Sequence, residues 1–415
     1  MSTYIVEGGR PLEGSVRVHG AKNSVLPILA ACLLAPGECV IHNCPELSDV
    51  RASLDILRRL GCRAERQGEA VVVDASAPTG WEVPDALMRE MRSSVIFLGA
   101  ILGRMGQAQL CAPGGCELGP RPIDLHLAAI RALGGAVEEA EGGLRCSGRL
   151  RGADIVLSLP SVGATENAML AAVSAHGDTT ITNAAREPEI VDLQNFLNTL
   201  GADVRGAGSS VITVRGGAPL HGGEYTVMGD RIVAATYLAA AASAGGEIQL
   251  TGVDWRHLST VTAVLREAGC AVESRAASIR LGCRGPLRGV PPVRTAPYPG
   301  FPTDAQAPLM AVMAKGSGCT VFVENIFESR YRHVDELTRM GADIRVESRV
   351  AVVYGVPRLH GAQVRATDLR GGAALAVAAL GAEGRSELTG VHHIDRGYQS
   401  LEGDLRRLGA EIRRI

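Results

Sequence analysis

Aromatic residues make up only 3% of this 415-residue sequence, so no core of stacked rings is available and Leu, Val, Ile and Ala must fill the interior. Neither sign of charge dominates. The net charge is −2 and the pI about 6.6, which provides no global field for nucleic acid. Any anionic substrate must therefore be held by cations gathered locally. The ten cysteines (Cys32, Cys39, Cys44, Cys62, Cys111, Cys116, Cys146, Cys270, Cys283 and Cys319) contain no Cys-x-x-Cys and no paired histidine spacing. That pattern excludes a zinc site and a disulfide scaffold and fits reduced thiols in a cytosol. The N-terminus lacks a basic-then-apolar signal. The longest apolar stretch, Ile232 to Ala244, is too short to span a bilayer. A soluble, cytoplasmic protein without a membrane partner is expected.

Glycine is plentiful, at 51 residues, with 20 prolines, which implies many short elements joined by tight turns. The length exceeds one ordinary core, so at least two domains are expected. A leucine-containing helical pattern ending in glycine recurs six times: LRRLGC at Gly61, IRALGG at Gly134, LNTLGA at Gly201, LREAGC at Gly269, LTRMGA at Gly341 and LRRLGA at Gly409. Successive glycines stand 67 to 73 residues apart. A valine- or isoleucine-rich pattern follows each, so a glycine-stopped helix followed by a β-hairpin is predicted. Upstream of each lies a second, alanine-rich segment that is apolar nearly all round, such as KNSVLPILAACLLA and DRIVAATYLAAAASAGG. Such helices belong in a domain centre. Six units of about 70 residues divide naturally into three plus three, giving a mixed α/β (α+β) chain. Hinges are placed near Gly20-Ala21 and near Met228-Gly229-Asp230. The predicted lobes are residues 1–20 with 230–415, and residues 21–229.

Several segments carry chemistry. Gly20-Ala21-Lys22-Asn23 opens the first buried helix, where free N–H groups favour anions. Cys116 follows Pro-Gly-Gly in a loop that also reaches Arg121, Pro122 and Asp124. A thiol of near-neutral pKa can donate a proton and be reset. Asp304 follows Phe-Pro-Thr at the head of an apolar helix, where it is either a helix cap or a base held in a cleft. Arginines suit bidentate recognition of carboxylate and phosphate. Lys22, Arg92, Arg121, Arg330, Arg370 and Arg396 come from four of the six repeats, so they converge only if two lobes face each other.

These segments, with Pro160-Ser161-Val162-Gly163, Arg186-Glu187-Pro188-Glu189, Thr367-Asp368-Leu369-Arg370 and His392-His393-Ile394-Asp395-Arg396-Gly397-Tyr398, closely resemble the EPSP synthase-like enolpyruvyl transferases, in the branch that uses a nucleotide sugar. The resemblance runs the length of the chain, in order. It implies the family's two-lobed inside-out α/β barrel, with three repeats per lobe and two crossings of the chain between lobes. It implies transfer of the enolpyruvyl group of phosphoenolpyruvate to the 3-hydroxyl of UDP-N-acetylglucosamine, a step of cell-wall peptidoglycan synthesis and so of cell shape and division, with no metal or organic cofactor. By resemblance Cys116 is the proton donor, the lid thiol and the target of fosfomycin, and Asp304 is the base. Lys22 and Arg396 hold phosphoenolpyruvate, and Asn23 stands at the reacting centre. Arg121, Pro122, Ile123, Asp124 and Leu125 bind uridine; Ser161, Val162 and Gly163 bind the diphosphate; Arg92 adds a phosphate contact; Ile326 touches the sugar. Asp368, Arg370, Glu328 and Arg330 form an ionic network in the closed state. His126 and His393 receive no chemical role.

Two positions depart from part of the family: Ser48 and Leu159 stand where some members carry lysines near the nucleotide phosphates. Charge compensation there must differ. The nearest rival is the sister reaction on shikimate 3-phosphate, against which the Cys116 loop and the Arg121-Pro122…Asp124-Leu125-His126 string argue. A six-repeat clamp on DNA would need a basic inner surface in every repeat, whereas the basic residues here gather in particular motifs.

Overall fold

A computed structural model describes residues 2–91, 93–111, 123–140 and 143–415, so Arg92, Cys116, Arg121 and Pro122 lie outside the described residues. The described chain divides into two compact units. One comprises the described residues between 20 and 228, and the other residues 2–19 with 229–415.

Within each unit one pattern occurs three times: a strand, an apolar helix, a strand, a second helix and a hairpin. The six apolar helices are α1 (Lys22–Cys32), α2 (Phe97–Met105), α3 (Val162–Val173), α4 (Arg231–Ala244), α5 (Thr303–Met313) and α6 (Leu369–Gly381). Their side chains are buried on every face; in α4 all positions from Arg231 to Ser243 are buried. Alanine makes this possible, since small side chains let helices approach while keeping high helix propensity. Gly99 of α2 shows how close the approach is, because a Cβ there would stand 2.4 Å from the carbonyl oxygen of Asn167 in α3.

Each pattern contributes a four-stranded sheet in which one parallel pair is followed by two antiparallel pairings. The parallel strand of the first copy comes from the end of its unit: Gly223–Thr226 pairs with Glu38–His42, setting Gly223 opposite Cys39. In the other unit the chain's beginning completes two sheets. Leu12–Arg17 runs parallel to Gly246–Thr251, and Tyr4–Glu7 lies antiparallel between Arg385–Thr389 and Glu411–Arg414. The beginning of the chain thus forms two strands in two sheets. The break falls at Gly8-Gly9, where Gly9 takes a left-handed φ of 81° and redirects the chain.

The six repeat glycines end the six outer helices alike. Gly61, Gly134, Gly201, Gly269, Gly341 and Gly409 all have φ between 84° and 111°. In each case the next N–H reaches back to a carbonyl of the last turn, as in Cys62 to Leu57 at 3.0 Å and Ala410 to Leu405 at 2.9 Å. This is the Schellman closure, and it turns the chain into the hairpin.

The cost of a side chain at this position should depend on the space around it. At Gly409 the nearest atoms to an added Cβ are 4.0 Å away, whereas at Gly61 Thr79 stands at 2.7 Å. Gly409→Ala is expected to cost about 1 kcal/mol of backbone strain and Gly61→Ala clearly more. Chemical denaturation of both variants measures this, and equal losses would show that strain alone sets the cost.

Candidate functional site

Because the helix bodies are apolar, the polar residues of each repeat collect at helix starts. In the unit of residues 20–228, α1 begins without a side-chain cap. Lys22 lies there, buried, with its ammonium 2.7 Å from the Asp49 carboxylate. Asp49 is itself buried, in the first turn of helix Ser48–Arg59, where the positive helix end favours its charge. Asn23 is exposed beside Lys22. One residue further, Ser24 hydrogen-bonds Asp192, which also accepts from Tyr225 Oη at 2.7 Å and from the Met228 N–H at 3.3 Å. Burial raises the Asp192 pKa, opposed by these three donors.

Elsewhere in this unit Ile123 and Leu125 are half-buried and Asp124 is exposed at the start of helix Asp124–Ala132. Ser161, Val162 and Gly163 form the half-buried head of α3, with the Ser161 hydroxyl 3.4 Å from the Ala164 N–H. Ser48 has a buried hydroxyl with no partner among the described residues, and Leu159 is 66% exposed.

In the other unit, α5 also begins without a side-chain cap. Asp304 therefore does not cap it. Its carboxylate accepts instead from Arg330 Nη2 at 2.7 Å and from Arg370 Nη2 at 3.3 Å. Both arginines are buried. Burial would raise the Asp304 pKa, but the charges of Arg370 and Arg330 and their hydrogen bonds outweigh it and hold the carboxyl well below the usual carboxylate range. Arg330 also donates to the Thr303 carbonyl at 3.0 Å. Arg370 lies over the Tyr398 ring, its Nη1 3.4 Å from the phenol oxygen, which in turn lies 2.7 Å from Thr236 Oγ1.

Of the four residues expected to form an ionic network, Arg330 and Arg370 meet at Asp304. Asp368 caps α6, accepting from the N–H groups of Arg370 at 3.0 Å and Gly371 at 2.9 Å. Glu328 pairs with Arg349 at 3.3 Å, both residues being exposed. Ile326 is 39% exposed in a turn fastened by Glu324, which accepts from the N–H groups of Ile326 and Phe327. Arg396 is half-buried at the end of the 3-10 turn Val391–Arg396. His333 is fully buried, which pushes its pKa down to about 4 against the pull of Asp368.

Asp49 and Tyr398 were missed as site residues. Tyr398 ends the string His392 to Tyr398, but its stacking with Arg370 is a contact that no spacing encodes. Asp49 adjoins the noted Ser48, yet its partner lies 27 residues upstream. Among the described residues no group of three His, Cys, Asp or Glu side chains could hold a metal ion, and no helix is long and apolar enough to cross a membrane.

A family profile described as EPSP synthase (3-phosphoshikimate 1-carboxyvinyltransferase) matches residues 6–405. UDP-N-acetylglucosamine 1-carboxyvinyltransferase 2 of Caldanaerobacter subterraneus subsp. tengcongensis is 50% identical over 100% of both chains. UDP-N-acetylglucosamine 1-carboxyvinyltransferase 1 of Symbiobacterium thermophilum is 51% identical, covering 99% of this chain and 95% of its own. Among solved structures, the enolpyruvyl transferase NikO from Streptomyces tendae superposes with a TM-score of 0.90 at 30% identity, over 100% of this chain and 98% of its own. A profile match over nearly all residues, full-length identity at one position in two and a shared fold agree: the chain belongs to the EPSP synthase family of enolpyruvyl transferases, among its members named UDP-N-acetylglucosamine 1-carboxyvinyltransferase.

Proposed function

We propose that this protein transfers the enolpyruvyl group of phosphoenolpyruvate to the 3-hydroxyl of UDP-N-acetylglucosamine, releasing phosphate, in the cytoplasm. The observation that carries the reaction type is the Asp304 carboxylate gripped by two buried guanidinium groups at an uncapped helix start. The choice of acceptor is supported by the full-length similarity to relatives that bear the nucleotide sugar in their name.

In the proposed mechanism, residues of the two lobes, 1–20 with 230–415 and 21–229, act on one substrate pair. Lys22, Arg330, Arg370 and Arg396 hold the phosphoenolpyruvate anion, with Arg92, Arg121 and the loop Ser161 to Gly163 on the nucleotide phosphates. Pro122, Ile123, Asp124 and Leu125 receive uridine, and Asn23 and Ile326 flank the sugar. Cys116 protonates the methylene carbon, which makes the adjacent carbon electrophilic. Asp304 takes the hydroxyl proton as the sugar oxygen attacks, giving a tetrahedral ketal phosphate; loss of a methyl proton and phosphate yields the enolpyruvyl ether.

The ion pair bears on timing. A carboxylate held far below its usual pKa is a weak base. An arriving phosphate or carboxylate competes for the same guanidinium groups and so frees Asp304 for its proton when substrate is present. Cations that bind the developing charge better than the ground state then lower the barrier.

Phosphate release from phosphoenolpyruvate is expected with UDP-N-acetylglucosamine and not with shikimate 3-phosphate, and Cys116→Ser is expected to slow it strongly. Release with shikimate 3-phosphate alone would overturn the acceptor, and full turnover in the serine variant would remove the thiol as acid.

Stability provides a second check. Because the folded-state pKa of Asp304 is depressed, its pairing stabilises the fold above the unfolded carboxyl value of about 4, and that contribution is lost as pH falls toward the lower folded value. Asp304→Asn should abolish this acid-side dependence. It also leaves two buried guanidinium groups without counter-charge, at an expected cost of about 1–3 kcal/mol at pH 7. Thermal denaturation of wild type and variant between pH 3 and 7 measures both effects; parallel, superimposed curves would show the pair to be energetically neutral.

A further inference from the structure

His126, left without a role by the sequence, lies in the first turn of helix Asp124–Ala132 with 8% of its surface exposed. Its Nδ1 is 2.8 Å from Nδ2 of Asn167, a fully buried residue of α3. The Asn167 amide has one orientation: its Oδ1 accepts from the Gly99 N–H at 2.7 Å, and its Nδ2 donates to the Val95 carbonyl at 3.0 Å. The remaining N–H of Nδ2 therefore donates to His126 Nδ1, which must be the unprotonated nitrogen. The ring proton is left on Nε2. Burial pushes the His126 pKa down to about 4, against the opposing charge of Asp124, so the imidazole stays neutral at physiological pH.

The Nε2 side of the ring faces the head of α3. A Cβ built on Gly163 would stand 2.9 Å from His126 Cε1 and 3.2 Å from Nε2, so the absence of a side chain at Gly163 is what admits the ring edge there. Nε2 has no hydrogen-bond partner among the described residues. In the same turn the N–H groups of Val162 and Gly163 have no carbonyl partner among them either. Three donors thus stand at a helix start, where the helix field adds to their attraction for an anion.

We propose that His126 is an anion-binding residue whose Nε2–H, oriented by Asn167, donates together with the N–H groups of Val162 and Gly163 to the diphosphate of the nucleotide sugar. This rests on the reading of UDP-N-acetylglucosamine as acceptor. Asn167 is a positioning residue, acting through the tautomer it imposes.

Calorimetric titration of the full-length protein with UDP-N-acetylglucosamine tests this. His126→Leu, which keeps bulk and removes the donor, is expected to weaken binding roughly tenfold, the effect of losing one hydrogen bond to a charged group. His126→Gln, whose amide nitrogen reaches near the Nε2 position, is expected to recover most of that loss. The thermal midpoints of both variants check that each is folded, and a 15N spectrum of the wild-type ring should show Nε2 protonated and the ring neutral at pH 6. Wild-type affinity in His126→Leu, or equal loss in the Leu and Gln variants, overturns the proposal and leaves His126 a packing residue. Failure of the wild type itself to bind the nucleotide sugar would instead overturn the functional reading, and this inference with it.

Discussion

Everything in this protein follows from six helices that are apolar on all sides. A helix of that kind has no face to offer water, so it is stable only when surrounded, and each unit surrounds three of them with three sheets and three amphipathic outer helices. Hydrophobic burial fills the helix bodies with small apolar side chains and leaves few polar groups there, among them Glu166, Asn167 and Thr236. The helix starts then become the natural place for chemistry, because unsatisfied N–H groups and the helix field both favour anions there. Lys22 with Asn23, Ser161 with Gly163, Asp304, and Asp368 with Arg370 all occupy such starts.

Local compensation governs the charges so placed. Lys22 is matched by Asp49, and Asp304 by Arg330 and Arg370, with each pair largely out of water. A buried pair of this kind contributes little net stability, yet either partner alone would be costly. In the proposed reaction that asymmetry lets an incoming anion exchange one partner for another instead of creating a new buried charge. Three of the six apolar helices carry a side-chain cap, at Ser161, Asp230 and Asp368, whereas α1 and α5, which present Lys22 and Asp304, carry none.

Alanine and glycine serve the same end by different means. Alanine lets helices come close while keeping their bodies helical, and the repeat glycines take a backbone conformation that ordinary residues resist. At Gly99 and Gly163 the missing Cβ matters for a third reason, since it lets Asn167 and His126 reach positions that a side chain would fill. Packing and site geometry are thus decided by the same small residues.

The repeat, the order of elements and the glycine-stopped helices were legible in the sequence, because each depends on local periodicity and on a backbone preference carried by one residue. The motif strings marked Lys22 and Asp304 as charged groups at helix starts for the same reason. Tertiary structure alone decided the partners: that Asp304 is gripped by two arginines and does not cap its helix, that Glu328 pairs with Arg349, that Asp49 holds Lys22, and that Asn167 sets the His126 tautomer. It also placed the beginning of the chain as two strands in two sheets. Pairings between residues far apart in sequence depend on which helix ends meet in space, and no local pattern records that distance.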